Sequence, residues 1–167
     1  MQYRLAKRLP IPIATSSLIQ VPSILAVLPP TKSIGILSYD AERLGYEHLE
    51  QLGVSSLSHH RIHFFGAPQG GHLQRLVQSG SSSSPTGKES IPYVHADLET
   101  ELIERSKELL SAHRDIGALV LECTQMPPFA EAIQKALGGE ILVYDVFTMA
   151  SWFYSGIHRR SPYWWRT

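Results

Sequence analysis

The sequence holds a single cysteine, Cys123, in surroundings that a reactive thiol would use. A strand-like stretch over residues 116–122, apolar up to Glu122, leads into it, and Pro127 and Pro128 follow where the first turn of a helix accepts proline. The pattern predicts a strand, a tight turn and a helix, with Cys123 at the carboxyl end of the strand. A thiol aimed at a helix N-terminus feels the positive end of the macrodipole, which is expected to hold its pKa below ~8.5 and raise the thiolate fraction. Free backbone N–H groups around Thr124 and Gln125 could hold a developing oxyanion or a substrate carboxylate. One turn would then supply both a proton carrier and an anion site. The competing reading is structural, because a free cysteine behaves as a small hydrophobe and is among the most buried residue types.

Two other clusters carry less. His59, His60 and His63 have no recognised zinc spacing and no second ligand cluster beside them, so they read as solvated histidines and no metal is expected. The glycines between Gly66 and Gly71 lack the strand, Gly-x-Gly-x-x-Gly and helix context of a dinucleotide site, and they read as a loop.

The elements that would position Cys123 are legible as an alternation. Residues 11–14 and 34–39 are short apolar runs expected to be buried strands. Between them Leu18, Val21, Leu25 and Leu28 recur at helical spacing, with Pro22 kinking or restarting the helix and Pro29-Pro30 stopping it. Asp40 can cap a helix carrying Leu44, Leu49 and Leu52, and Gly53 stands where its C-terminus would want glycine. Residues 61–65 suggest another strand. Residues 66–91, rich in Gly, Ser and Pro, read as a flexible insertion outside the core. From Asp97 the spacing of Leu98, Leu102 and Leu109 marks an amphipathic helix leading to strand 116–122. Phe129, Ile133 and Leu137 then give a helix closed by Gly138-Gly139, and residues 141–144 a last strand, with a helix after Asp145. Continuous apolar strands alternating with helices predict an α/β fold whose parallel sheet is flanked by helices on both faces. Ligands of such sheets sit at the carboxyl ends of the strands.

Composition narrows the function classes. The chain has 167 residues, with 15 Lys and Arg against 15 Asp and Glu. It can bury one core, and it carries no global field that would recruit nucleic acid or an anionic membrane. One cysteine excludes an internal disulfide framework and suits a reducing compartment, so a cytoplasmic location is expected. No run approaches the ~20 apolar residues of a membrane span, and Pro10 and Pro12 follow the opening residues in place of a signal-peptide core.

Four segments together resemble the Asp/Glu/hydantoin racemase superfamily: Leu119-Val-Leu-Glu-Cys-Thr-Gln-Met-Pro-Pro-Phe129, Ile11-Pro-Ile-Ala-Thr-Ser-Ser17, Ile34-Gly-Ile-Leu-Ser-Tyr-Asp40 and Tyr144-Asp-Val-Phe-Thr148. The strand running into Cys-Thr is the most specific of them. The resemblance implies proton transfer at the α-carbon of a small amino acid or hydantoin, without cofactor, between two cysteines on opposite faces of the substrate. Inversion needs two carriers, since a single base returns the proton to the face it left. This sequence has one. The family's other cysteine lies on a strand upstream of residues 11–14, and residues 1–9 look like the end of the helix after it, so that active-site strand is expected to be missing. The resemblance also implies two lobes, one nearly complete over residues 33–143, the other a remnant over residues 1–32 and 144–167. Such a remnant would favour association into a homo-oligomer.

In the same resemblance Cys123 is the acid/base, and Thr124 faces a substrate carboxylate. Tyr39 is similar to a carboxylate-binding tyrosine of the one-cysteine relatives, the arylmalonate decarboxylases and maleate isomerases. Its alternative is packing at a strand end. Ser16 and Ser17 read first as helix caps and second as substrate contacts. The expected partner is a small molecule bearing a carboxylate or carbonyl. The alternatives are a one-cysteine decarboxylase or cis-trans isomerase, or an inactive truncated homologue. The tail around Tyr163, Trp164 and Trp165 joins aromatics to cations and could pack on its own domain or on a partner.

Overall fold

The computed structural model describes residues 1–80 and 94–158. Its centre is a sheet of four strands, β1 (Ser33–Ser38), β2 (Ile62–Gly66), β3 (Ile116–Leu121) and β4 (Leu142–Tyr144), in the order β2-β1-β3-β4. Every pairing is parallel, with Ile36 opposite Phe64 and Val120, and Val120 opposite Tyr144. The fold is α/β with helices on both faces, as the alternation of apolar runs predicts. Among the described residues no helix is long and apolar enough to cross a membrane.

The pleat explains why the central strands are apolar throughout. Ile34, Ile36, Ala118 and Val120 point to one face, where Leu18, Val21, Ile24, Leu28 and Leu49 cover them. Leu37, Leu119 and Leu121 point to the other, under Leu98, Leu102, Leu109, Phe129 and Ile133. A strand buried on both sides has no alternation to show. The first cover comes from α2 (Val21–Val27), restarted at Pro22 after a 3-10 turn over Ser17–Gln20, and from α3 (Tyr46–Glu50). The second comes from α5 (His95–Ala112) and α6 (Ala130–Ala136). At Gly35 an added Cβ would lie 2.7 Å from the Leu109 Cδ2, so the missing side chain lets α5 approach the sheet closely.

Helix ends are satisfied by distant side chains as well as by local caps. Arg61 donates to the carbonyls of Lys32 (2.8 Å), Pro29 (2.9 Å) and Leu28 (3.3 Å), groups freed where α2 ends. Asp145 and Thr148 form a capping box at the start of α7 (Val146–Ile157), and Gln20 bonds into it through the Asp145 carbonyl and the Thr148 hydroxyl. Gly138 and Gly139 close α6 with φ of 87° and 77°, a region open to glycine.

Two expectations are corrected. Residues 11–14 form no strand, since Pro10 and Pro12 lack N–H donors and no neighbouring strand offers a ladder. The Gln2 side chain of α1 (Gln2–Ala6) pairs there instead, donating to the Ile13 carbonyl at 2.8 Å and accepting from the Thr15 N–H at 3.1 Å. Residues 66–91 are not a flexible insertion over their described part. They hold α4 (His72–Gly80), whose Leu73 is fully buried in the core. The Glu101 carboxylate of α5 accepts from the N–H groups of His72 (2.6 Å) and Leu73 (3.0 Å), replacing the local cap that the glycine-rich lead-in does not provide. The Ser-rich centre of that segment and the Trp164-Trp165 tail lie outside the described residues.

Candidate functional site

The order β2-β1-β3-β4 reverses direction between β1 and β3. The chain leaves β1 toward one edge of the sheet and leaves β3 toward the other. At such a reversal the following loops diverge and open a crevice at the carboxyl ends of the two strands. The residues bordering it are Ser38, Tyr39 and Asp40 after β1, and Glu122, Cys123 and Thr124 after β3. The two ends are tied together. The Glu122 N–H donates to the Leu37 carbonyl at 2.9 Å, and the Ser38 hydroxyl donates to the Glu122 carboxylate at 3.0 Å.

Two clefts meet at this point. One, of about 410 Å³, is lined by Tyr39, Leu76, Val77, Glu122, Cys123, Thr124 and Gln125. The other, of about 310 Å³, shares Tyr39 and Glu122 and extends past Ser16, Asp40 and Arg43 to His48. Arg43 is engaged with Asp40 in an ion pair of 2.9 Å. Tyr39 and Glu122 therefore stand on the divide, and the α4 side chains Leu76 and Val77 wall the Cys123 side.

Cys123 lies where the apolar run predicts, one residue beyond the Glu122 that follows β3, and is 8% exposed. Its expected activation is not found. Burial pushes the thiol above its ordinary value, the Glu122 carboxylate adds to that rise, and the Gln125 backbone N–H, bonded to the sulfur, opposes it. The helix dipole fails for a structural reason. After Cys123 the chain makes a turn, then a 3-10 turn over Pro127–Phe129, and only then the seven-residue α6. Little dipole reaches the sulfur, and desolvation wins. The resting group is a neutral thiol.

The other expected residues separate. Thr124 is exposed on the cleft rim, and Tyr39 is half-buried with its carbonyl accepting from Gln74 at 3.1 Å. Ser16 caps the 3-10 turn, accepting from the Leu18 N–H at 3.2 Å, and it also lines the cleft that runs toward His48. Ser17 is fully buried and donates to the Leu121 carbonyl at 3.0 Å, which occupies it structurally and keeps it from the clefts. Glu122 was not singled out in the sequence. Its signal is a carboxylate at the end of a strand whose preceding six residues are all apolar or glycine.

No family model matches the chain. Among curated proteins a dimethylsulfoniopropionate lyase of Durusdinium sp. clade D is 36% identical over 55 residues, a stretch that covers 33% of this chain and 18% of that relative. These findings correct the expected membership of the Asp/Glu/hydantoin racemase superfamily. No model of it is matched, and the similarity found is to a protein named as a lyase. One of the four resembling segments, residues 11–17, does not even form the strand the resemblance requires.

Proposed function

We propose that this chain is a cofactor-independent lyase that removes the proton beside a carboxylate and expels a β-substituent, with Cys123 as the proton acceptor. The observation that carries the reading is the meeting of Cys123, Glu122 and Tyr39 in one cleft at the reversal point of the sheet. A single thiol suffices for this chemistry, because elimination removes one proton and returns none to the same carbon. Inversion would need a second carrier.

The partial similarity to a dimethylsulfoniopropionate lyase supplies the substrate class, a small propionate bearing a β-sulfonium. The Cys123 thiolate takes the α-proton, the C–H electron pair forms the new double bond, and the C–S pair leaves with sulfur as a neutral thioether. The products are an unsaturated acid, dimethyl sulfide and a protonated thiol. Burial cuts the fraction of thiolate but makes it a stronger base, which suits a weak carbon acid. The Glu122 carboxylate and the Tyr39 ring are matched to a sulfonium cation, by charge and by cation–π attraction. Thr124, on the rim, is the contact for the substrate carboxylate. The lone thiol supports a reducing, cytoplasmic setting.

Dimethyl sulfide in the headspace over the protein and dimethylsulfoniopropionate is the direct assay. The expected result is release by the natural sequence and a loss of at least about a hundredfold in Cys123→Ala, the usual scale of a general base. No release by the natural sequence overturns the lyase reading.

A further inference from the structure

At the other end of β3 from Cys123, three residues that are dispersed in the sequence come together. His63 lies on the edge strand β2, while His113 ends α5 and Asp115 immediately precedes β3. One ligand atom from each lies within 4.8 Å of the other two. The His63 Nε2 is buried and has no hydrogen-bond partner among the described residues, and the Asp115 carboxylate stands 4.0 Å from it. A buried ring nitrogen without a protein hydrogen-bond partner calls for an explanation.

We propose that His63, His113 and Asp115 bind a divalent transition ion of the zinc type, in a site separate from the proposed catalytic cleft. Two imidazole nitrogens and one carboxylate oxygen are the donor set of open zinc sites, in which a water completes the tetrahedron. Calcium and magnesium are disfavoured, because they want several oxygens and find one carboxylate here.

The backbone holds the three positions in place. His63 pairs with Gly35 across β2 and β1, the His113 N–H donates to Leu109 at 3.0 Å, and the Asp115 carbonyl accepts from the Ser33 N–H at 3.0 Å. The two imidazoles are stacked, with centroids 3.7 Å apart and planes 15° apart, so coordination requires one ring to turn and bring its nitrogen toward the ion. Asp115 is half exposed and can follow. The ion would join the edge strand to the α5–β3 turn, two segments fifty residues apart in the chain, and so stabilise the amino end of the sheet.

Cobalt(II) titration of the metal-free full chain, read by visible absorption, tests this. The expected result is one cobalt per chain, with d–d bands, no thiolate charge-transfer band in the near ultraviolet, and displacement by zinc. His113→Asn, at a half-buried position, and Asp115→Asn, at an exposed one, should each weaken binding by more than about tenfold, and Cys123→Ser should leave the spectrum unchanged. Circular dichroism checks that each variant is folded. The proposal is overturned by the absence of a saturable cobalt spectrum, by a spectrum that survives the double variant at His113 and Asp115, or by one that disappears in Cys123→Ser.

Discussion

Cys123 and Glu122 are chain neighbours lining one cleft, and the carboxylate changes what the thiol can do. The carboxylate disfavours a second negative charge on the sulfur, so replacing it by the neutral amide should make the thiolate easier to form. Glu122→Gln is therefore expected to move the pH profile of Cys123 alkylation by iodoacetamide to lower pH, measured by intact mass. An unmoved profile would mean that the two groups do not interact. Stability should carry the same signature. The folded thiol holds its proton to higher pH than the unfolded one, so the native state binds more protons in that window and stability falls as pH rises above the unfolded thiol value. In Cys123→Ser that part of the decline should vanish from denaturant titrations. From the sequence, the place of Cys123 was legible because a continuous apolar run ends beside it. Its pKa was not, because the sign depends on how far a short helix starts from the sulfur and how tightly Leu121, Met126 and their neighbours exclude water.

The helices and strands bear on the site through α4. Its Leu76 and Val77 wall the Cys123 cleft, and its first turn is held by the Glu101 carboxylate. Glu101→Ala should cost about 1 kcal/mol, the usual worth of an N-terminal cap, in urea unfolding. Leu73→Ala, which empties a fully buried position on the same helix, should cost about 2–5 kcal/mol. Gly35→Val, driven against the Leu109 side chain, should destabilise by about 1–3 kcal/mol through overpacking. The strands 34–39 and 116–122 were legible within a residue or two because burial on both faces leaves a nearly unbroken apolar run, and 141–144, at the sheet edge with Leu142 exposed, was legible from its short apolar run alone. Helix α4 was hidden because its lead-in is glycine-rich and its cap comes from Glu101, 29 residues beyond His72 on α5. Residues 11–14 misled in the opposite sense, since an apolar run flanked by prolines looks like a strand until a partner is required.

At the scale of the molecule, the two ends of one sheet hold two different kinds of chemistry. The carboxyl ends of β1 and β3 open on the thiol cleft, and the amino end of β3 carries the His63, His113 and Asp115 cluster. The fold class followed from alternation alone, whereas both sites depend on strand order, which brings residue 39 beside residue 122 and residue 63 beside residue 115. Spacing along the chain does not contain that order. The most direct test of the proposed chemistry follows dimethylsulfoniopropionate by proton NMR in deuterium oxide with the natural sequence, Cys123→Ser and Glu122→Gln. Vinyl signals growing at the expense of the α-protons with the natural sequence, and not with Cys123→Ser, are expected. Vinyl signals that grow equally with Cys123→Ser would contradict the assignment of Cys123 as the base, and the absence of vinyl signals with the natural sequence would contradict the lyase account as a whole.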